Sequence, residues 1–167
     1  MNMKERKNTR LKPYNYSQAG YYFLTICTKD HNEIFGKVYE NEVKLNSIGE
    51  IVESKLMMIN EIYEDVEIDN YHVIMPNHIH LILILSKNNG DDEDRSKMKV
   101  SKVIQQFKSA STKAIRNFLN KKVDVWQKSF YDRIIRNEKE FYTIRRYIEL
   151  NPLKWDLEKA IPENLEL

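Results

Sequence analysis

Apolar and polar positions along the chain repeat with two periods, one typical of strands and one typical of helices. Three segments rich in aromatic and β-branched residues predict strands: 21–28, 66–75 and 78–85. The last two are separated only by Pro76-Asn77, a pair that predicts a tight turn. Segment 34–45 has the pattern of a hairpin with polar residues 40–42 at its turn. The chain therefore predicts strands joined by short connections.

Apolar residues recur at helical spacing in three other segments: 46–63, 98–119 and 137–152. Ser47, with Glu50 three residues later, fits a capping box at the start of the first helix. Pro152 predicts the end of the last one, because proline cannot continue a helix. The apolar face predicted for the second helix consists of Val100, Val103, Ile104, Phe107, Ala114, Ile115 and Phe118.

The order of these elements, β-ββ-α-β-β-α-α, predicts an α+β fold, a single antiparallel β-sheet with helices packed on it. A length of 167 residues suits one domain with a sizeable core. We expect this domain to span residues 13–155. A basic N-terminal tail (1–12) would precede it and a C-terminal extension (156–167) would follow.

Charge is distributed unevenly along the chain, although the net charge is only +2. Residues 95–155 hold 16 Lys and Arg against 5 Asp and Glu, whereas the rest of the chain holds 11 against 20. A segment as basic as residues 95–155 favours binding to a polyanion such as nucleic acid. A solvated Lys-rich helix explains the same composition equally well.

The composition also indicates a cytoplasmic protein. The longest apolar run, residues 81–85, is far shorter than the ~20 residues of a membrane helix. No apolar stretch follows the basic N-terminal residues, so no secretory signal is predicted. The single cysteine, Cys27, cannot form an internal disulfide and lies in a predicted strand. We therefore expect no membrane partner.

Two histidines are the first candidates for chemistry, in the sequence MPNHIH at 75–80. Side chains of a strand alternate between faces, so His78 and His80 project from the same side. Two converging imidazoles suit Mn²⁺ or Zn²⁺, and suit Mg²⁺ when oxygen ligands complete the shell. Two half-buried histidines at a strand edge without a metal are the alternative.

A second candidate group lies in the sequence RRYIELNP at 145–152. On a helix, Tyr147 and Asn151 would lie on one face. A tyrosine becomes a nucleophile once its proton is lost, which a divalent ion and the basic Arg145 and Arg146 would favour. Asn151 would supply an oxygen ligand. The alternative is that Tyr147 only packs beside Ile148.

These two motifs, taken together, resemble the single-tyrosine HUH transposases, and most closely the REP-associated tyrosine transposases. In that family a strand carries MPxHxH and a later helix carries a tyrosine within YIxxNP. The stretches RLKPYNYSQAGYYFLTICT and VIQQFKSASTKAIRN also look like family segments, so the resemblance covers roughly residues 8–155. It implies the ferredoxin-like or RRM-like fold of HUH nucleases, in a prokaryotic protein that is nucleoid-associated when bound to DNA.

The resemblance also implies roles for individual residues. His78, His80 and Asn151 would bind Mg²⁺ or Mn²⁺, and Tyr147 would attack single-stranded DNA near a hairpin. The DNA would be cleaved and rejoined through a covalent 5′-phosphotyrosine. Trp126 with Gln127 match segments that flank the DNA path. The basic residues expected to contact DNA are Lys102, Lys108, Lys113, Arg116, Arg133, Arg136, Arg10 and Lys12.

Several alternatives stay open at this point. Tyr142 and Tyr131 compete for the role of nucleophile, but neither has a polar partner of the Asn type four residues later. This sequence differs from the family pattern at Asp132, where many relatives have His. A non-catalytic module could bind single-stranded nucleic acid with the aromatic residues of the sheet and the basic helix. A metal-dependent nuclease without a covalent intermediate would use His78, His80 and a third carboxylate. A homodimer is possible, with Tyr147 acting in cis or in trans.

Overall fold

The computed structural model of the chain describes residues 15–90 and 98–158. Its strands are β1 (Gly20–Cys27), β2 (Gly36–Tyr39), β3 (Glu42–Leu45), β4 (Val66–Ile68), β5 (Val73–Met75), β6 (His78–Leu85) and β7 (Tyr131–Ile135). Its helices are α1 (Ser47–Ile62), α2 (Lys99–Leu119), α3 (Glu138–Glu149) and α4 (Asn151–Glu158). Helix α4 crosses the boundary expected at 155, and the predicted basic tail (1–12) lies outside the described residues.

The main sheet has five strands, and every pairing in it is antiparallel. Its order is β4-β6-β1-β7, and β5 also pairs with β6 beyond the end of β4. Strands β2 and β3 form the separate hairpin that the sequence predicts. The predicted α+β fold, an antiparallel sheet with helices packed on it, is confirmed.

Helices cover both faces of the sheet, and each face follows from the alternation of side chains along β1 and β6. Odd-numbered apolar residues of β6 and even-numbered ones of β1 join α1 and α2 in the larger core. The other face buries a cluster of only five residues, Phe23, Ile82, Ile135, Ile144 and Ile148. Helix α3 packs there, so it is attached to the sheet by far less apolar area than α1 and α2.

Two differences from the predicted strands shape the site. The segment 66–75 forms two strands, because the carboxylate of Asp69 accepts a hydrogen bond from the Tyr71 amide at 2.9 Å and turns the chain out of the sheet. Strand β7 was not predicted. It pairs with β1, with Phe23 opposite Arg133 and Leu24 opposite Asp132. Asp132 therefore faces away from the cluster that contains Phe23.

Two predictions about helices are wrong in detail. The cap of α1 is Asn46 rather than Ser47, since its side chain accepts hydrogen bonds from the amides of Ile48 and Gly49. Phe118 is exposed, because the last turn of α2 extends past the core. Helix α3 ends at Glu149, just before Pro152 as predicted, although Pro152 itself lies in the first turn of α4, where its missing N–H is tolerated.

Candidate active site

The two histidines converge as the strand geometry requires. His78 and His80 are 2% and 1% exposed, and their Nε2 atoms lie 3.1 Å apart. Both belong to β6, on the face that packs against α3. The next residues of β6 on that face are apolar, so the pair marks the end of a buried strand.

Each ring is held by a hydrogen bond on its other nitrogen. Nδ1 of His78 lies 2.6 Å from Oδ1 of Asn77, and Nδ1 of His80 lies 2.9 Å from Oγ1 of Thr25 on β1. An amide oxygen accepts but cannot donate, so Nδ1 of His78 carries the proton and its Nε2 carries a lone pair. Such contacts orient ligating histidines in metal sites.

Burial keeps both imidazoles neutral at physiological pH. It lowers the pKa of His78 to about 3, against a smaller opposing effect of a hydrogen bond with the Asn151 side chain. Burial also lowers the pKa of His80 well below its ordinary value, and the neighbouring His78 lowers it further. Neutral imidazole is the form that binds metals.

The donor set fits a divalent ion that accepts oxygen ligands. The two Nε2 atoms lie 3.1 Å apart on neutral rings and would together hold such an ion. Among residues 15–90 and 98–158, no third His, Cys, Asp or Glu completes a metal-binding group. Asn151, 9% exposed and hydrogen-bonded to His78, offers an amide oxygen instead.

Tyr147 lies against this pair. Its ring centroid is 5.3 Å from that of His80 and 6.1 Å from that of Phe23, in edge-to-face contacts. Nζ of Lys154, on α4, lies 5.7 Å from the same ring. The half-buried Tyr147 therefore adjoins both a histidine and a cation.

Asn151 reaches the site by a different path from the one predicted. Helix α3 ends at Glu149, and Asn151 begins α4 rather than continuing the face of Tyr147. A proline has no N–H to donate and its ring would clash with the carbonyl four residues earlier, so Pro152 cannot continue α3 and a new helix begins. The new helix still directs the Asn151 side chain to His78.

The arginines next to Tyr147 have other partners. Nε of Arg145 donates to Oδ1 of Asp69 at 3.2 Å, and Nη2 donates to Oδ2 at 2.5 Å. Asp69 is 4% exposed, so this ion pair is largely buried. The guanidinium of Arg145 is therefore neutralised by Asp69, whereas Arg146 is exposed.

The basic residues of α2 lie on the far side of the sheet from the histidines, because α2 packs in the larger core. Lys102 and Lys113 are exposed. Nζ of Lys108 donates to the carbonyls of Gln127 and Ser129, both at 2.8 Å. Arg116 donates to the carbonyl of Val123 and pairs with Asp124. These four residues are not brought together with Tyr147.

The other residues expected to contact DNA or flank its path lie in different parts of the structure. Arg133 faces the same side as Phe23 and pairs with Glu140 at 2.7 Å. Arg136 is exposed at the end of β7. Trp126 packs on Phe35 and Phe107, inside the fold. Arg10 and Lys12 lie outside the described residues.

Sequence reasoning missed three supporting residues: Thr25, Asn77 and Asp69. Asn77 stood beside the histidines in MPNHIH, so adjacency was an available signal. Thr25 is adjacent to His80 only through the pairing of β1 with β6. Asp69 meets Arg145 from 76 residues away, and no local pattern indicates such a contact.

Comparison with known proteins identifies the family. The family model described as "Transposase IS200 like" matches residues 16–151. The chain belongs to this family. An uncharacterised protein of Haemophilus influenzae is 33% identical to this IS200-like transposase over 165 residues, covering 90% of each chain. A putative REP-associated tyrosine transposase of the same organism is 27% identical over 147 residues, covering 84% of this chain and 74% of the relative.

The fold of this IS200-like transposase also matches a solved one. A REP-associated tyrosine transposase bound to a REP hairpin superposes with a TM-score of 0.62 and 22% identity. The match covers 90% of this chain and 76% of the other. In the part of the chain that the structure describes, no helix is long and apolar enough to cross a bilayer.

Proposed function

We propose that this IS200-like transposase cleaves and rejoins single-stranded DNA near hairpins, with Tyr147 as nucleophile. One observation carries the proposal: a tyrosine ring lies 5.3 Å from a buried histidine whose Nε2 converges with that of a second histidine. No serine or cysteine nucleophile is needed for this arrangement to act on a phosphodiester.

His78, His80 and Asn151 would hold the Mg²⁺ or Mn²⁺ ion. When bound, the ion supplies charge stabilisation at a non-bridging oxygen of the scissile phosphate. Tyr147 gives up its phenolic proton to solvent as its oxygen forms a bond to phosphorus, and the bond from phosphorus to the 3′ oxygen breaks. The leaving 3′ oxygen takes up a proton and becomes a free 3′-OH, while the 5′ phosphate stays on Tyr147.

The rejoining step is the same exchange in reverse. A 3′-OH attacks the phosphotyrosine, a new phosphodiester forms and Tyr147 regains its proton. Because one ester replaces another in each step, no nucleotide cofactor is required. The active-site side of the sheet has two neutral histidines and an amide that would hold the ion, and a tyrosine that would supply the nucleophile.

The expected substrate is single-stranded DNA that folds into a hairpin. The solved relative is bound to a REP hairpin, and the proposal extends that substrate class to this chain. The exposed Lys102 and Lys113 on α2 are candidates for contacts to phosphates, as are Arg133 on the side of the active site and the exposed Arg136 at the end of β7. Lys108 and Arg116 would have to exchange their present partners for DNA, and Arg10 and Lys12 belong to the tail. We place this activity in the cytoplasm, on nucleoid DNA.

The test uses hairpin-forming single strands from the DNA that flanks the gene, labelled at the 3′ end. We expect labelled protein–DNA adducts on a denaturing gel with Mn²⁺, and none for Tyr147→Phe or after chelation. Tyr39→Phe is the control, because Tyr39 is an exposed tyrosine on the β2–β3 hairpin. Binding without an adduct would instead favour a binding module, and free 5′-phosphate products would favour a hydrolytic nuclease.

A further inference from the structure

Helix α3 also borders a cleft of about 390 Å³ that the proposed chemistry does not use. Four of its lining residues recur at helical spacing and form one face of α3: Tyr142, Arg145, Arg146 and Glu149. Two more residues complete the wall of the cleft: Leu150, just after α3, and Tyr71, in the loop between β4 and β5. A volume of this size is within the usual range of small-ligand sites.

Planar groups dominate one side of the cleft. The guanidinium carbon of Arg145 lies 4.7 Å from the Tyr71 ring centroid and 4.2 Å from that of Phe141. The Phe141 ring is in turn 5.9 Å from the Tyr142 ring. Asp69 fixes the guanidinium, so this cluster of planar groups is held from within. Its outer members, Tyr71 and Tyr142, are 39% and 57% exposed.

Exposed aromatic rings beside fixed cations are the usual platform for unpaired bases, because every base has a face that stacks. Two side chains add polar chemistry at the rim. Arg146 is exposed and suits a phosphate, and Glu149 is exposed and accepts hydrogen bonds from an amino group such as N4 of cytosine. The cleft thus combines stacking, a cation and an acceptor.

The cleft flanks the candidate active site. Tyr71 precedes Val73 by two residues, and Val73 pairs directly with His80 across β5 and β6. Arg145 precedes Tyr147 by two residues on α3. A single strand bound at Tyr147 would therefore have this cleft beside it, at the β4–β5 edge of the site.

We propose that the cleft binds an unpaired nucleobase beside the cleavage position and favours a base with an exocyclic amino group through Glu149. This proposal rests on the proposed function, since it names a contact to the same single strand. It assigns Tyr71 and Tyr142 to stacking and Arg146 to the adjoining phosphate.

Fluorescence anisotropy of full-length protein with labelled oligo(dC) and oligo(dT) tests the proposal. Oligomers of about 12 nucleotides are long enough to fill a single-strand site. We expect tighter binding of oligo(dC), and a loss of affinity of about tenfold for both oligomers in Tyr142→Ala. Tyr142→Phe, which keeps the ring, should bind as the wild type does. Glu149→Ala should weaken oligo(dC) binding and leave oligo(dT) binding unchanged.

The exposed Tyr39 provides the matched control, because Tyr39→Ala removes a ring that does not line the cleft. Equal affinities of Tyr142→Ala, Tyr71→Ala and Tyr39→Ala for both oligomers would overturn the proposal. Adduct formation is measured separately, so the two proposals fail in different ways. Adducts with unchanged binding in the cleft variants refute the cleft alone. Weaker binding in those variants, with no adduct in any protein, refutes only the cleavage chemistry.

Discussion

Thr25 has the clearest consequence at the scale of single residues. Its hydroxyl lies 2.9 Å from Nδ1 of the buried His80, so it orients the ring and fixes which nitrogen faces His78. Loss of a hydrogen-bond partner of a metal-binding histidine typically lowers metal affinity or activity by roughly 10- to 100-fold. The valine side chain has nearly the same shape without the hydroxyl.

We therefore predict that Thr25→Val lowers the affinity for Mn²⁺, measured by titration calorimetry, by roughly 10-fold or more. The rate of adduct formation at limiting Mn²⁺ should fall in parallel. Thr143 offers the comparison, because its hydroxyl donates to the Lys139 carbonyl on the outside of α3. Thr143→Val should bind Mn²⁺ normally, and an equal loss in both variants would remove Thr25 from the site.

At the scale of elements, the position of α3 determines where Tyr147 lies. The helix buries Ile144 and Ile148 in a five-residue cluster, whereas the other face of the sheet has the larger core. With so little apolar area, the ion pair of Arg145 with the largely buried Asp69 becomes a main attachment of α3. The Asp69 amide also donates to the carbonyl of Ile82 on β6, the strand that carries both histidines.

We expect Asp69→Asn to slow single-turnover adduct formation by more than tenfold at saturating DNA, because displacements near 1 Å can cost about 100-fold. Hairpin affinity should change little. Asp65 is the matched control at the other end of β4, where it pairs with Lys99 at the start of α2. Asp65→Asn should cost similar stability, about 2 kcal/mol by thermal unfolding, with no loss of rate. Equal rate losses would show that Asp69 acts only through stability.

The elements also show which features the sequence can predict. Periodicity located β1, β6, the hairpin and the three main helical segments, because each has a strong local pattern. Strand β7 was missed because only Ile134 and Ile135 are aliphatic, and it is stabilised by pairing with β1. The ion pair of Asp69 with Arg145 and the contact of Asn151 with His78 join residues that are distant in sequence, so no local pattern predicts them. The sequence motifs were enough to predict the candidate site residues. The contacts that position those residues could be identified only from the folded structure.

At the scale of the whole molecule, the two faces of the sheet differ: one carries a basic helix and the other carries the candidate active site. The basic surface of α2 lies on one side, and the histidines, Tyr147 and Arg133 lie on the other. A hairpin bound to α2 would have to send its single strand around an edge of the sheet to reach Tyr147. The β4–β5 edge, with its cleft, is one such route, and it links the substrate proposal to the shape of the domain.

Tyr147 and His80 are in contact within one chain, which predicts how copies of the protein combine. Each chain holds Asn151 against its own His78 and Arg145 against its own Asp69, so α3 and α4 are bound to their own sheet. A mixture of Tyr147→Phe and His78→Ala should therefore form no adduct, since neither chain has both groups. A wild-type protein mixed with either variant should react normally. Adducts in the mixture of the two variants would require a homodimer that exchanges α3 between chains, and Tyr147 would then act in trans.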